Sequence, residues 1–433
     1  MSTKILGGTW LVQTAAPIAL IALLSGCEDA PSPPDHTSVV GTPSVVATPS
    51  NDVAIINLHF ALGADGATAV AGWTELYDRG RIYSAVSTDG AVTFGTAAPV
   101  DDPEDAELTS QRLWVDNSGG IWVGALAYTT DDEGLFHSDA RVYKAAGSEP
   151  AFSMVASLKE QAGDRSFSQI GFAASADGQS MGLSWIDTTP EDWLTPESPP
   201  GNSLLSSTST DGGKTFGDLT VVSTTPFTFA PSLSSVFVGG QMGLVYGELR
   251  EVPGQPIPVG MPAFILANEQ GVFGEPVLVA PDEYGAIPAG SAAGTEGAAP
   301  AAAIGPDGSI HVAWWSAMTV GLWYSTSADG LTFSEPIQVM ETAAPTPANV
   351  RIAVDGLGNA WVAALDQGTV RVVEVVAGAP AEIVEASQIL AGDADLFDIA
   401  PLPDHGAVLL WLAPAPEEDP EGLRAIQTVT MTP

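Results

Sequence analysis

From about residue 52 onward, apolar residues fall in short runs of four to eight, rich in Val, Ile and aromatics and often alternating with polar ones. Asp-Gly, Gly-Gly and Pro punctuate the runs. This pattern reads as strands and not as helix. A unit recurs in which an Asp-Gly-type turn is followed about seven residues later by an aromatic inside an apolar run. Its instances are Asp65-Gly66 with Trp73, Asp116 and Gly119 with Trp122, Asp177-Gly178 with Trp185, and Gly239-Gly240 with Tyr246. Asp307-Gly308 with Trp314, Asp355-Gly356 with Trp361, and Asp404 and Gly406 with Trp411 complete the series. The aromatics lie 49, 63, 61, 68, 47 and 50 residues apart.

A short Asp-Gly turn between two apolar runs signals a hairpin, because Gly supplies the positive φ that such turns need. Many units carry a third run, such as Arg81 to Val86 or Leu322 to Ser325, and a fourth, such as Leu219 to Val222. Four antiparallel strands repeated every 40 to 70 residues predict an all-β fold, a seven-bladed β-propeller. A solenoid needs shorter, more uniform repeats, and a sandwich does not repeat seven times. The seventh unit, Phe397 to Met431, holds only three candidate strands. An unpaired edge there calls for another segment, and Ser44 to Thr48 is apolar and extended enough to close the ring as an N-terminal outer strand.

Composition sharpens this picture. The 433 residues carry 13 Lys+Arg against 52 Asp+Glu, a net charge of −39, with no Lys after Lys214. So acidic a chain repels a phosphate backbone, which excludes nucleic-acid binding through a basic patch. The hydrophobic fraction of 45% separates it from acidic disordered chains and provides for a large core.

The one Cys is Cys27, preceded by Leu24-Ser25-Gly26, an apolar run from Ala15 and the single basic residue Lys4. Charged start and short apolar stretch have the form of a secretory signal. Gln13, Thr14 and Pro17 leave too few uninterrupted apolar residues for a membrane span of roughly 20. The end of the segment resembles the bacterial lipobox, which implies cleavage before Cys27 and a diacylglyceryl anchor on its thiol. The expected organisation is a signal peptide over 1–26, a lipid-attached tether rich in Pro, Ser and Thr over 27–51, and one propeller domain over 52–433. The expected location is the cell envelope, with the outer membrane or cell surface favoured over the inner membrane and the lipid bilayer a partner through Cys27.

Three turns carry a more specific motif. Ser209-Thr210-Asp211-Gly212-Gly213-Lys214-Thr215-Phe216 resembles the Asp-box, or BNR repeat, of the sialidase superfamily. In Ser87 to Phe94 the residues Ser87, Asp89, Thr93 and Phe94 keep the spacing but the second Gly is lost; Ser327, Asp329, Gly330, Thr332 and Phe333 form a version one residue shorter. The stretch Asn268 to Phe273 is a remnant. In that superfamily the box is a folding device, and the resemblance spans roughly residues 52 to 430. A carboxylate capping turn N–H groups, a Gly in the left-handed region and an aromatic between strands explain it physically.

Sialidases of this superfamily also use three arginines to grip a carboxylate, a Tyr paired with a Glu, and an Asp acid/base. No Arg-Ile-Pro motif is present here. Arg112 and Arg351 share a register, each four residues before the Asp of its turn, and Arg165 near the start of the third unit is a third candidate. The plainer alternative is that each pairs with one of the many acids. Tyr246 with Glu248 is the one Tyr-x-Glu pair, yet Tyr246 occupies the core aromatic position. The five His, at 36, 59, 137, 311 and 405, show no metal-ligand clustering in sequence. Asp393, Asp395 and Asp398 offer hard oxygens for calcium, but their spacing does not make a site, so no cofactor is expected. The Asp-Gly turns and Asp-boxes mark one face, while the long segments Thr129 to Asp139, Asp187 to Ser203, Glu248 to Met261, Pro281 to Pro300 and Ala413 to Gly422 mark the other. Function is expected on that loop face. The expected role is a monomeric binding or scaffolding module for a glycan, peptide or protein partner; a divergent sialidase-like glycoside hydrolase is the alternative.

Overall fold

The computed structural model describes residues 39–433 except 101–105, 131–135, 147–150, 160–164, 190–202, 227–232, 254–258, 286–299, 317–318, 342–347, 389–395, 415–423 and the single positions 51, 78, 225, 252, 367 and 377. Six four-stranded antiparallel sheets follow in chain order, each strand paired with the next. Sheet one is β3 (Ala54–Leu62), β4 (Ala69–Leu76), β5 (Gly80–Ser87) and β6 (Ala98–Pro99). Sheet two is β7 (Glu107–Val115), β8 (Gly120–Thr130), β9 (Phe136–Ala146) and β10 (Ser153–Ser157). Sheet three is β11 (Phe167–Ala174), β12 (Met181–Asp187), β13 (Leu204–Ser209) and β14 (Thr220–Ser223). Sheet four is β15 (Leu233–Val238), β16 (Gln241–Arg250), β17 (Val259–Leu266) and β18 (Val277–Leu278). Sheet five is β19 (Ala301–Ile304), β20 (Ile310–Ser316), β21 (Gly321–Ser327) and β22 (Ile337–Met340). Sheet six is β23 (Ala348–Val354), β24 (Ala360–Asp366), β25 (Thr369–Val376) and β26 (Ala379–Gln388). One helical turn, α1 (Asp282–Gly285), lies between β18 and β19.

The seventh sheet joins the chain's two ends. β27 (Phe397–Pro401), β28 (Ala407–Ala413) and β29 (Ala425–Thr432) are completed by β2 (Ser44–Ala47) and β1 (Val39–Val40), both antiparallel to β29. The fold is a seven-bladed β-propeller closed by N-terminal outer strands, with β2 inside the segment that the sequence pattern singles out. Pairing hides the edge that β29 otherwise presents. The core consists of apolar layers between neighbouring sheets, so each sheet is buried on two faces and its strands are apolar almost throughout.

The repeat aromatics sit on the second strand of every sheet, but in two registers. Counting from the residue whose carbonyl closes the turn, Trp73, Trp185, Trp314 and Trp411 come five positions after Thr68, Ser180, Ser309 and Gly406. Tyr246 stands five after Gln241, the residue paired with Val238 across its turn. Trp122 and Trp361 come only two positions after Gly120 and Asn359. An odd difference moves the side chain to the other face of a strand. The first five pack toward the preceding sheet, whereas Trp122 packs toward sheet three and Trp361 toward sheet seven. Their position brings the indole Nε1 to the turn carboxylate, 2.9 Å from Asp116 Oδ2 and 3.0 Å from Asp355 Oδ2.

The three Ser-x-Asp turns share one set of bonds. Asp89 accepts from Thr93 N at 2.8 Å and Thr93 Oγ1 at 2.6 Å, and Asp211 accepts from Thr215 N at 3.0 Å and Oγ1 at 2.6 Å. The Thr hydroxyl, then its N–H, holds each of these carboxyls at about 2. In the shorter version Asp329 accepts from Leu331 N and Thr332 N. Gly212, Gly213 and Gly330 adopt left-handed φ of 72°, 75° and 72°, and Ala91 takes the position of Gly213 at φ 66°. Phe94, Phe216 and Phe333 pack into the layers between sheets.

Two of the long segments are shorter as loops than their composition suggests. β8 and β9 run through Thr130 and from Phe136, and β16 and β17 through Arg250 and from Val259. The sheets themselves extend beyond the apolar runs because ladder hydrogen bonds continue where side chains turn polar. Cys27, Asp393, Asp395 and nearly all of 187–203 and 413–422 lie outside the described residues.

Candidate functional site

The inner strands, β3, β7, β11, β15, β19, β23 and β27, surround the central channel. Four residues before the first residue of each turn (Gly63, Asp116, Ser175, Val238, Gly305, Asp355 and Leu402), one level of that channel holds His59, Arg112, Gly171, Ser234, Ala301, Arg351 and Asp398. Ionisable side chains are confined to sheets six, seven, one and two; sheets three to five contribute only small residues. Gly171 leaves no room for a Cβ, which would fall 2.3 Å from Ser235 Oγ.

The four polar side chains form a continuous belt across the seam where the ring closes. Arg112 Nη1 on sheet two donates to His59 Nε2 on sheet one at 2.7 Å and to its own neighbour's carbonyl, Gln111 O, at 2.8 Å. His59 Nδ1 lies 3.2 Å from Asp398 Oδ2 on sheet seven. Asp398 Oδ1 then meets Arg351 Nε of sheet six at 3.4 Å. Phe60 N and Ile399 N also donate to the carboxylate, each at 2.9 Å. His59 and Asp398 are buried, at 6% and 9% exposure.

Backbone irregularity aims the belt. Register shifts interrupt β3 between Ile56 and His59, β7 between Leu108 and Ser110, and β23 between Ala348 and Val350. Asn57 and Asn349, each two residues before its belt residue, take left-handed φ of 51° and 59°. Asn tolerates that conformation better than most residues, and a bulge re-aims the side chains that follow. The Asn349 side-chain oxygen accepts from Arg351 Nη1, and Asn57 O accepts from Gln111 Nε2 at 2.9 Å.

The electrostatics follow from burial and from the two guanidinium groups. Desolvation first, and Arg112 second, push His59 down to about 4. The imidazole is therefore neutral near pH 7, with Nδ1–H toward Asp398 and Nε2 accepting from Arg112. Burial works to raise Asp398, but His59, Arg351 and Phe60 N–H outweigh it and hold the carboxyl below its ordinary range. Two guanidinium groups, one carboxylate and a neutral imidazole make the belt net positive in a strongly negative protein.

From the belt to the Asp-Gly turns the channel widens into a cavity of about 610 Å³. Its wall is largely apolar and includes Phe60, Trp114, Phe172 and Phe237; Arg112, His59, Asp398, Ser234 and Ser235 supply polar groups. Among the described lining residues, Asp398 is the one carboxylate.

The three arginines singled out in the sequence separate here. Arg112 and Arg351 join the belt, while Arg165 is buried beside Asp187, to which its Nη1 donates. Of the three, Arg112 alone lines the cavity; Arg351 and Arg165 do not. Tyr246 is buried in the layer between sheets three and four, and burial together with the Glu248 charge raises its phenol, which stays protonated. Asp398 is occupied by four donors within the belt. His59 and Asp398 are the members that sequence reasoning missed. The signal was present as the same four-residue offset that relates Arg112 and Arg351, counted from the turn position itself.

No family model matches the chain, and no curated protein does. Solved structures resemble it. A Penicillium chrysogenum α-L-arabinanase complexed with arabinobiose is 12% identical, with 92% of this chain and 98% of that one covered and a TM-score of 0.51. A mutant α-L-arabinofuranosidase of Fusarium graminearum in complex with an iminosugar inhibitor is 12% identical over 91% and 98%, at a TM-score of 0.51. A Dyadobacter fermentans protein of unknown function is 12% identical over 91% and 99%, at 0.50. At such identity, what this chain shares with them is the fold.

Proposed function

We propose that this protein is an exported, lipid-anchored binding propeller whose channel takes a glycan residue bearing an anionic or acceptor group. The carrying observation is the cavity, with aromatic walls for a sugar face and a net-positive belt at one end. Attachment through Cys27 rests on the Leu24-Ser25-Gly26-Cys27 motif, and a monomer suffices because the ring closes on its own ends. No cofactor enters this role. The Ser-x-Asp turns are Asp-boxes in this reading, structural braces on the face toward which the cavity extends, so the proposed site lies opposite the long-loop face on which the sequence pattern places function.

The alternative, a glycoside hydrolase, is favoured by fold likeness to arabinan-acting enzymes. Hydrolysis of that type uses two carboxyl groups about 5–10 Å apart, one of them held protonated. The described lining residues offer one carboxylate, which is held ionised. Binding therefore fits the geometry better than turnover. The test pairs calorimetric titration of uronic-acid and arabinose oligosaccharides with turnover assays on aryl α-L-arabinofuranoside and aryl sialoside. Binding weakened at least tenfold by Arg112→Ala, without turnover, is expected. Turnover abolished by Arg351→Ala or Asp398→Asn overturns the binding reading. Export and anchoring are tested by detergent phase partition, which Cys27→Ala should reverse.

A further inference from the structure

A second polar cluster lies at the layer between sheets six and seven, away from the channel. Asp355 belongs to the β23–β24 turn, Glu374 to β25 opposite Trp361, and His405 to the β27–β28 turn. One ligand atom from each lies within 4.8 Å of the other two. His405 Nε2 is 2.7 Å from Glu374 Oε1 and 3.7 Å from Asp355 Oδ2. Asn359 Nδ2 approaches the same nitrogen at 3.0 Å. Both carboxylates are buried, with side chains 0% and 1% exposed, while His405 is 30% exposed.

We propose that Asp355, Glu374 and His405 bind a first-row divalent cation of the zinc type. Three observations carry this. Glu374 Oε2 is buried without a hydrogen-bond partner, which is costly for a carboxylate. Two buried carboxylates face one imidazole, so even a charged imidazole leaves an excess negative charge that a divalent cation neutralises. In sheet two the position equivalent to Glu374, opposite Trp122, holds a cation: Lys144 Nζ stands 4.0 Å from Asp116 Oδ2 and 4.0 Å over the Trp122 ring. Sheet six has a carboxylate where sheet two has that cation.

The donor set of one imidazole and two carboxylates suits zinc and its neighbours, whereas calcium and magnesium prefer oxygen alone. Tetrahedral zinc places ligand atoms ~3.3 Å apart. The contacts of 2.7 and 3.7 Å bracket that value, so small side-chain rotations suffice. Glu374 and His405 are the principal ligands, because Asp355 Oδ2 already accepts from Trp361 Nε1 and from Gly406 N at 3.1 Å. On binding, the proton shared between His405 Nε2 and Glu374 Oε1 leaves to solvent and the metal takes both lone pairs. Asn359 supplies a fourth oxygen when its amide rotates. The cation would tie sheet six to the closing sheet of a ring whose described residues contain no disulfide.

The experiment uses the full chain stripped with EDTA, titrated with Co²⁺ as a spectroscopic probe and with Zn²⁺ in thermal melts. Visible Co²⁺ bands saturating at one equivalent and displaced by Zn²⁺, with a Tm rise of roughly 3 °C at saturation, are expected. Glu374→Lys reproduces the arrangement of sheet two and should fold while losing both signals; His405→Asn should weaken binding at least tenfold. Absence of the bands and of the Tm rise in the unmodified chain overturns the proposal. Equal signals in both variants overturn it too, since they place the metal on the acidic surface.

Discussion

Sheets two and six flank the pair formed by sheets one and seven, and they follow one plan. In each, an Asp at the first turn binds a Trp two positions past the turn closure. The next residue's N–H reaches a carbonyl of the following sheet, Asn117 to Ala176 at 2.7 Å and Gly356 to Leu402 at 3.1 Å. An Arg four residues before the Asp enters the channel belt. The sheets differ at the position opposite the Trp, where sheet two has Lys144 and sheet six has Glu374. The following turns differ as well: Asp177 precedes Gly178 after sheet two, and His405 precedes Gly406 after sheet six. The repeat therefore sets which atoms meet, and leaves the sign of their charge free to diverge.

If the plan is shared, the two indoles should matter alike. Trp122 and Trp361 are 2% and 1% exposed, and each shares its layer with a second Trp, Trp185 and Trp411. Trp122→Ala and Trp361→Ala should each cost about 3–5 kcal/mol, read from the shift in urea midpoint. Each substitution also leaves a buried turn carboxylate short of one donor. A difference of more than about 2 kcal/mol between the two would break the equivalence.

The sequence shows the seven units, the closing strand near Ser44 and the Ser-x-Asp turns, because strand periodicity and turn chemistry are local. It hides the two Trp registers. Turn lengths differ, so an Asp-to-Trp distance of six residues at Asp116 and Asp355 looks like a minor variant of the eight at Asp65 and Asp177, although the side chain ends on the opposite face. The belt was hidden for a related reason. Arg112 and Arg351 stand four residues before an Asp, whereas the same turn position is Gly63 in sheet one and Leu402 in sheet seven. Counting from residue type and not from turn geometry passes over His59 and Asp398. The Glu374 cluster depends on contact between sheets, which no single repeat encodes.

The belt links sheets two and six through His59 and Asp398, and its charge state gives a pH test. The folded state holds His59 at about 4 against 6.5 for an unperturbed imidazole. Between those values the unfolded chain binds a proton that the folded protein does not, so stability rises with pH across this window. The contribution is complete above about pH 6.5 and disappears as pH falls to about 4, amounting to at most about 3 kcal/mol. His59→Asn should flatten the stability profile over pH 4–6.5. A slope unchanged in that variant assigns the dependence to another group.

The exchange of charge between the sheets can be tested by reversing it. Lys144→Glu places a second acid beside Asp116 and removes the cation from the Trp122 face; a cost of about 1–2 kcal/mol is expected, moderated because Lys144 is 40% exposed. Adding Asp177→His rebuilds the arrangement of sheet six, with a carboxylate on the strand and an imidazole on the next turn. In the absence of metal, that second change should recover about half of the loss, since the imidazole restores a donor but not a permanent charge. Asp177→His in the otherwise unaltered chain should instead lose a little stability, because it removes the acceptor of Ser175 Oγ and Gln179 N. The readout is the coupling energy of this double-mutant cycle. Additive effects would mean that positions 144 and 177 do not sense each other, and the correspondence between the two layers would then be one of shape alone.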